Sequence, residues 1–107
     1  MTLNDSARRE DRHALRADIR VTGPDAHAEA VMVDISRHGL GTDGLMHFAP
    51  DSAVRVDFPD GSSRLGQAMW RDGFWSGIRF DTPIDPAELE ALFTALTLTP
   101  HFPRKQG

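Results

Sequence analysis

Two clusters in this chain carry side chains suited to holding a planar, anionic ligand. The first is Arg8-Arg9-Glu10-Asp11-Arg12, and the second is Asp34-Ile35-Ser36-Arg37-His38-Gly39. Guanidinium is planar and permanently charged, and its paired donors match a phosphate or the O6/N7 edge of guanine. Arg8 and Arg12 stand four positions apart, so one helical turn would put both on the same side, leaving Arg9 to reach a second group. In the second cluster, the Asp34 carboxylate can accept from the N1 and N2 hydrogens of guanine. Ser36 adds a hydroxyl for phosphate or base, and Gly39 lets the backbone turn or approach a ligand without a Cβ in the way. Together the clusters describe a bipartite site for a ligand that has both phosphate and guanine. Each also has a plainer reading. The leader is then a solvated basic run offset by Glu10 and Asp11. In the second cluster, Asp34 and Ser36 cap a turn at a strand end and Gly39 supplies a positive φ.

The elements that must position these residues follow from periodicity and turn chemistry. Residues 1–16 are polar and charged and read as a flexible leader. Asp18-Ile19-Arg20-Val21-Thr22 alternates as a strand does, and Gly23-Pro24-Asp25 is a turn signal. Ala28 to Ile35 reads as a second strand with Val31, Val33 and Ile35 pointing inward. Gly39-Leu40-Gly41-Thr42 with Asp43-Gly44 suggests a short strand and a turn. Val54, Val56 and Phe58 alternate with Arg55 and Asp57, and Pro59-Asp60-Gly61 closes that strand. Leu65 to Trp70 and Phe74 to Phe80 are two strands joined across Arg71-Asp72-Gly73, where Asp-Gly is a hairpin signal. Turns at this spacing argue for a small antiparallel sheet closed or nearly closed into a barrel. The period then changes. Asp85 can cap a helix, Pro86 suits its first position, Glu88 is placed to complete a capping box, and Ile84 with Leu89 has the spacing of a hydrophobic staple. Leu89, Leu92, Phe93 and Leu96 form one apolar stripe on that helix, which should lid the barrel.

Composition narrows the function classes. The chain has 107 residues, enough for one modest core, with 39% hydrophobic and 26% charged residues. There is no cysteine, hence no disulfide framework and no thiolate ligand or nucleophile. Met1 to Ser6 lacks the basic cap and apolar run of a signal peptide, and no apolar stretch approaches the ~20 residues that cross a bilayer. The expectation is a soluble, cytoplasmic monomer that does not engage membranes. The net charge of -4 runs against partners such as DNA or RNA polymers, which reward a basic excess. Arginines bunched at Arg8, Arg9, Arg12, Arg16 and Arg20 on this acidic background suit a small anion instead.

The two clusters, in this order on so short a chain, resemble the PilZ family of cyclic di-GMP receptors. That family has an R-x-x-x-R leader before the first strand, matched here by Arg8 and Arg12. It has a [D/N]-x-S-x-x-G motif at the end of the second strand, matched by Asp34, Ser36 and Gly39. Gly77-Ile78-Arg79-Phe80 looks like the family's closing strand, with a helix after it. The resemblance runs from about Arg8 to Leu96. Glu10-Asp11 inside the arginine cluster is unusual, since those carboxylates repel a dianion unless they turn outward. The resemblance implies a six-stranded antiparallel β-barrel of split-barrel type over residues 17–98 with its C-terminal helix, followed by a tail over 99–107. It also implies binding of cyclic di-GMP, often as a stacked dimer, by Arg8, Arg9, Arg12, Asp34, Ser36 and Gly39, with a downstream protein partner. An adaptor that binds proteins and little nucleotide is the alternative within the family.

Trp70 and Arg71 are secondary candidates, because an indole or guanidinium can stack on a guanine face. A hairpin tryptophan is also at home in a core or barrel rim, and Trp75 is read the same way. Catalysis is not expected. Asp34, Ser36 and His38 on one strand face would be spaced by ~6.6 Å steps and would not converge, and no nucleophile elbow is evident. His13, His27, His38, His47 and His101 show no ligand spacing, so no metal is expected either.

Overall fold

The protein is described by a computed structural model covering residues 12–43, 48–49, 51–71 and 75–103. Among the described residues there are six strands: β1 (His13–Thr22), β2 (His27–Ile35), β3 (Gly39–Asp43), β4 (Ala53–Asp57), β5 (Ser63–Arg71) and β6 (Trp75–Phe80). One helix, α1 (Pro86–Leu98), follows them. All pairings are antiparallel, and the strands close into a barrel in the order β1-β2-β3-β6-β5-β4. β1 begins at His13, so His13 to Arg16 belong to the barrel and not to the leader. Among the described residues no helix is long and apolar enough to cross a membrane.

Alternation decides the inner face of most strands. Ala17, Ile19 and Val21 of β1, Val54 and Val56 of β4, and Ile78 and Phe80 of β6 are buried, while their neighbours Arg20, Arg55 and Arg79 are exposed. Gly61 closes the β4–β5 turn with φ at +95°, a conformation in which a Cβ would be strained. At the end of the barrel, Ile84, Leu89, Leu92 and Leu96 join the same core, so the helix seals an apolar interior.

β2 departs from simple alternation. Met32 and Ile35 are fully buried, whereas Val31 and Val33 are only partly so. The expected inward set of Val31, Val33 and Ile35 is therefore corrected to Met32 and Ile35. The cause is a pair of stepped register shifts. Between β1 and β2, Ala14 pairs Asp34 but Ala17 pairs Met32, and between β2 and β3, Met32 pairs Thr42 but Asp34 pairs Gly41. The first shift adds its extra residue to β1 and the second adds one to β2, so it is the bulge at Val33 against β3 that reverses the phase of β2 beyond it. Ile35 then points inward and Asp34 stays on the outer surface.

The helix start shows a second difference. Asp85 caps it through its carboxylate, which accepts from the Ala87 N–H at 3.3 Å. Glu88 does not complete a capping box. Its Oε1 instead accepts from Arg64 Nη2 of β5 at 2.9 Å, a tertiary partner that outcompetes the local backbone donor.

Candidate functional site

The residues after β2 form a tight turn rather than a continued strand. Ser36 N–H donates to the Gly39 carbonyl at 2.8 Å, and the Ser36 hydroxyl accepts the His38 N–H at 3.2 Å. The same hydroxyl lies 3.4 Å from the Gly39 carbonyl, and Ser36 is 1% exposed. The turn is clamped from outside. Arg37 Nε donates to the Ile84 carbonyl at 2.8 Å while Ile84 N–H donates back to the Arg37 carbonyl at 2.8 Å. Phe80 N–H donates to the His38 carbonyl at 2.8 Å. Ser36 thus organises the turn from within, and Asp34, Ser36 and His38 do not share a strand face.

Gly39 is needed for another reason than φ. It pairs with Arg79 of β6, and a Cβ built there would sit 2.2 Å from the Ile78 carbonyl oxygen. The described glycine with positive φ is Gly61, so the reading of Gly39 as a left-handed turn residue is corrected to one of close strand approach.

Asp34 sits at the bulge with its carboxylate half-exposed. Its Oδ1 accepts the Gly41 N–H at 3.1 Å and also lies 3.1 Å from Arg12 Nη2. Side-chain exposures of 39% for Arg12 and 26% for Asp34 leave both accessible to solvent. The two sequence clusters therefore meet on the barrel surface, through the last residue of one and the first of the other. Arg8 and Arg9 lie outside the described residues. Trp70 and Arg71 pair with Ser76 and Trp75 in the β5–β6 ladder, and their side chains, with that of Trp75, lie outside the described part of the structure.

The remaining arginines of the leader region disperse along β1. Arg16 Nη2 reaches Asp43 Oδ2 of β3 at 3.1 Å, and Arg20 pairs loosely with Glu29 at 3.6 Å. Arg20 also covers the Phe102 ring at 3.9 Å. Beside it, Asp18 accepts from or pairs with His101 at 3.0 Å and donates its N–H to the Pro100 carbonyl at 2.8 Å. These contacts fasten the segment after the helix to β1. A groove of about 300 Å³ opens there, lined by Asp18, Arg20, Glu29, Val31 and Phe102 among others, and none of the motif residues borders it. It is a separate feature from the Arg12–Asp34 surface.

Sequence reasoning did not single out Gln67 or assign Arg79 a role. On the outer face of β5 and β6 these residues pair across the ladder, and Arg79 Nη2 donates to Gln67 Oε1 at 3.0 Å. The signal available was the alternation of β6, which puts Arg79 outside between buried Ile78 and Phe80.

No curated protein matches the chain. The family model for the PilZ domain matches residues 6–98. That span takes in the arginine cluster, all six strands and the helix through its last residue. A match of this extent, on a closed six-stranded barrel whose two signature clusters touch, means that the chain belongs to the PilZ domain family.

Proposed function

We propose that this PilZ domain is a receptor for cyclic di-GMP, held on the outer surface of β2 and β3 by Asp34 and by the arginines that precede β1. PilZ domains generally bind this nucleotide and are typically non-catalytic receptors. The observation that carries the reading is the Arg12–Asp34 contact at 3.1 Å, which puts a phosphate-type donor beside a guanine-type acceptor on one exposed surface.

Magnitudes support exchange of this contact for ligand. An exposed ion pair contributes about 0.2–1 kcal/mol, whereas a hydrogen bond to a charged group contributes about 1.5–3 kcal/mol net. A phosphate can therefore draw Arg12 from Asp34, freeing the carboxylate for the N1 and N2 hydrogens of guanine. Three or four such bonds, less the ordering of side chains, reach the ~8 kcal/mol of a micromolar complex. In this proposal Arg8 and Arg9 close over the nucleotide, Ser36 and Gly39 hold the Asp34 platform rigid, and the altered surface is what a downstream protein reads.

Titration calorimetry tests the proposal. Saturable heat with cyclic di-GMP, and none with GMP or an oligonucleotide, is the expected result. Silence with cyclic di-GMP would leave the protein-binding adaptor as the reading of this domain.

A further inference from the structure

The outer surface around Asp34 continues across the barrel in a defined register. Asp34 pairs Gly41, and Gly41 pairs Gly77. Two residues along β6 from Gly77 lies Arg79, opposite Gly39 on one side and Gln67 on the other. The intervening inward row of Ile35, Leu40 and Ile78 is buried, so parity puts Asp34 and Arg79 on the same outer face. With strands ~4.8 Å apart and a rise of ~3.3 Å per residue, their Cα atoms stand about 12 Å apart. Across that separation the two side chains can engage the two bases of a single cyclic dinucleotide, and the partners between them in the register, Gly39, Gly41 and Gly77, have no side chains to obstruct it.

We infer that Arg79 is a specificity-determining residue that reads the second guanine, with Gln67 as its positioning residue. The inference rests on the cyclic di-GMP reading and deepens it. Arg79 is exposed, and its guanidinium is steadied by the Gln67 carbonyl oxygen, which accepts one Nη2 hydrogen. The remaining N–H donors form a fork that matches O6 and N7 of guanine. Adenine presents an amino group at the equivalent position, so the same fork meets a donor and loses one bond. Asp34 and Arg79 then discriminate independently, one at each base.

The test is calorimetric titration of the full chain with cyclic di-GMP and with cyclic GMP-AMP, in which one guanine is replaced by adenine. Wild-type protein is expected to prefer cyclic di-GMP at least tenfold, about 1.4 kcal/mol. Arg79→Ala should lose that preference by weakening cyclic di-GMP about tenfold while barely changing cyclic GMP-AMP. Arg79→Lys should not restore it, because an ammonium lacks the fork, and Gln67→Ala should erode it partly. Melting temperatures of all three variants should stay near wild type, since the side chains are on the outside of the barrel. Equal wild-type affinity for the two nucleotides, or an Arg79→Ala protein that keeps its preference, would overturn the inference while leaving the receptor reading intact. Equal weakening toward both nucleotides would overturn it too, reducing Arg79 to a general positive charge. If wild-type protein bound neither nucleotide, both readings would fail together.

Discussion

The two halves of the Asp34–Gly39 motif behave differently, although only a few residues separate them. Asp34 is half-exposed, and its principal side-chain partner is an arginine that solvent also reaches. Ser36 and Gly39 are buried; one hydroxyl serves the turn and one missing Cβ serves the β3–β6 approach. In the proposed receptor, a run of sequence that reads as one binding motif thus contacts ligand at its first position and supports the backbone at the others. The difference teaches that a residue can be essential to a site without facing the ligand, by keeping the backbone beneath the contact group in place.

Substitutions that separate stability from binding sharpen this contrast. The largest effect should come from Gly39→Ala, where the new methyl collides with strand backbone that cannot move aside. We expect a loss of about 3 kcal/mol or more, a drop in melting temperature on the order of 10–20 °C. A calorimetric melt within a few degrees of wild type would show that β3 and β6 tolerate a wider spacing than described. Ser36→Ala should rank next. It removes the acceptor of the part-buried His38 N–H, at about 0.5–1.5 kcal/mol. Its affinity for cyclic di-GMP, measured below the melt, should fall less than that of an Asp34 variant. If binding vanished while the melt stayed unchanged, Ser36 would be a ligand contact and the contrast would break.

Arg12→Ala reverses the pattern. Binding should weaken at least tenfold, about 1.4 kcal/mol, with thermal stability almost unmoved because the pair is exposed. Wild-type affinity in this variant would mean that the arginine before β1 is only a solvated neighbour of Asp34. The smallest effect is the coupling of the pair itself. A double-mutant cycle with Arg12→Ala and Asp34→Asn should give under about 1 kcal/mol in ligand-free unfolding. A much larger coupling would make the contact a structural lock too strong for a nucleotide to displace.

The fold was largely legible in the sequence because its punctuation is local. Gly23-Pro24, Pro59-Asp60-Gly61 and Asp85-Pro86 end or begin elements through their own backbone preferences, and alternation was readable in Asp18 to Thr22 of β1 and Val54 to Phe58 around β4. The order of the arginine cluster and the Asp34 cluster was equally visible, and with it the family. Less legible were the phase of β2, the partner of Glu88 and the purpose of Gly39.

What the chain alone determined is where segments start, stop and alternate, together with the residue types available to bind phosphate and guanine. Only the tertiary structure decided that Met32 rather than Val33 enters the core, that Glu88 turns to Arg64, that Gly39 lies against Ile78, and that Arg12 reaches Asp34. The physical reason is common to all four. Turn and helix-cap preferences act over a few neighbouring residues, whereas a bulge, a close strand approach or an ion pair is settled by competition among groups far apart in the chain. Closure of the barrel is what brings those groups within reach of one another.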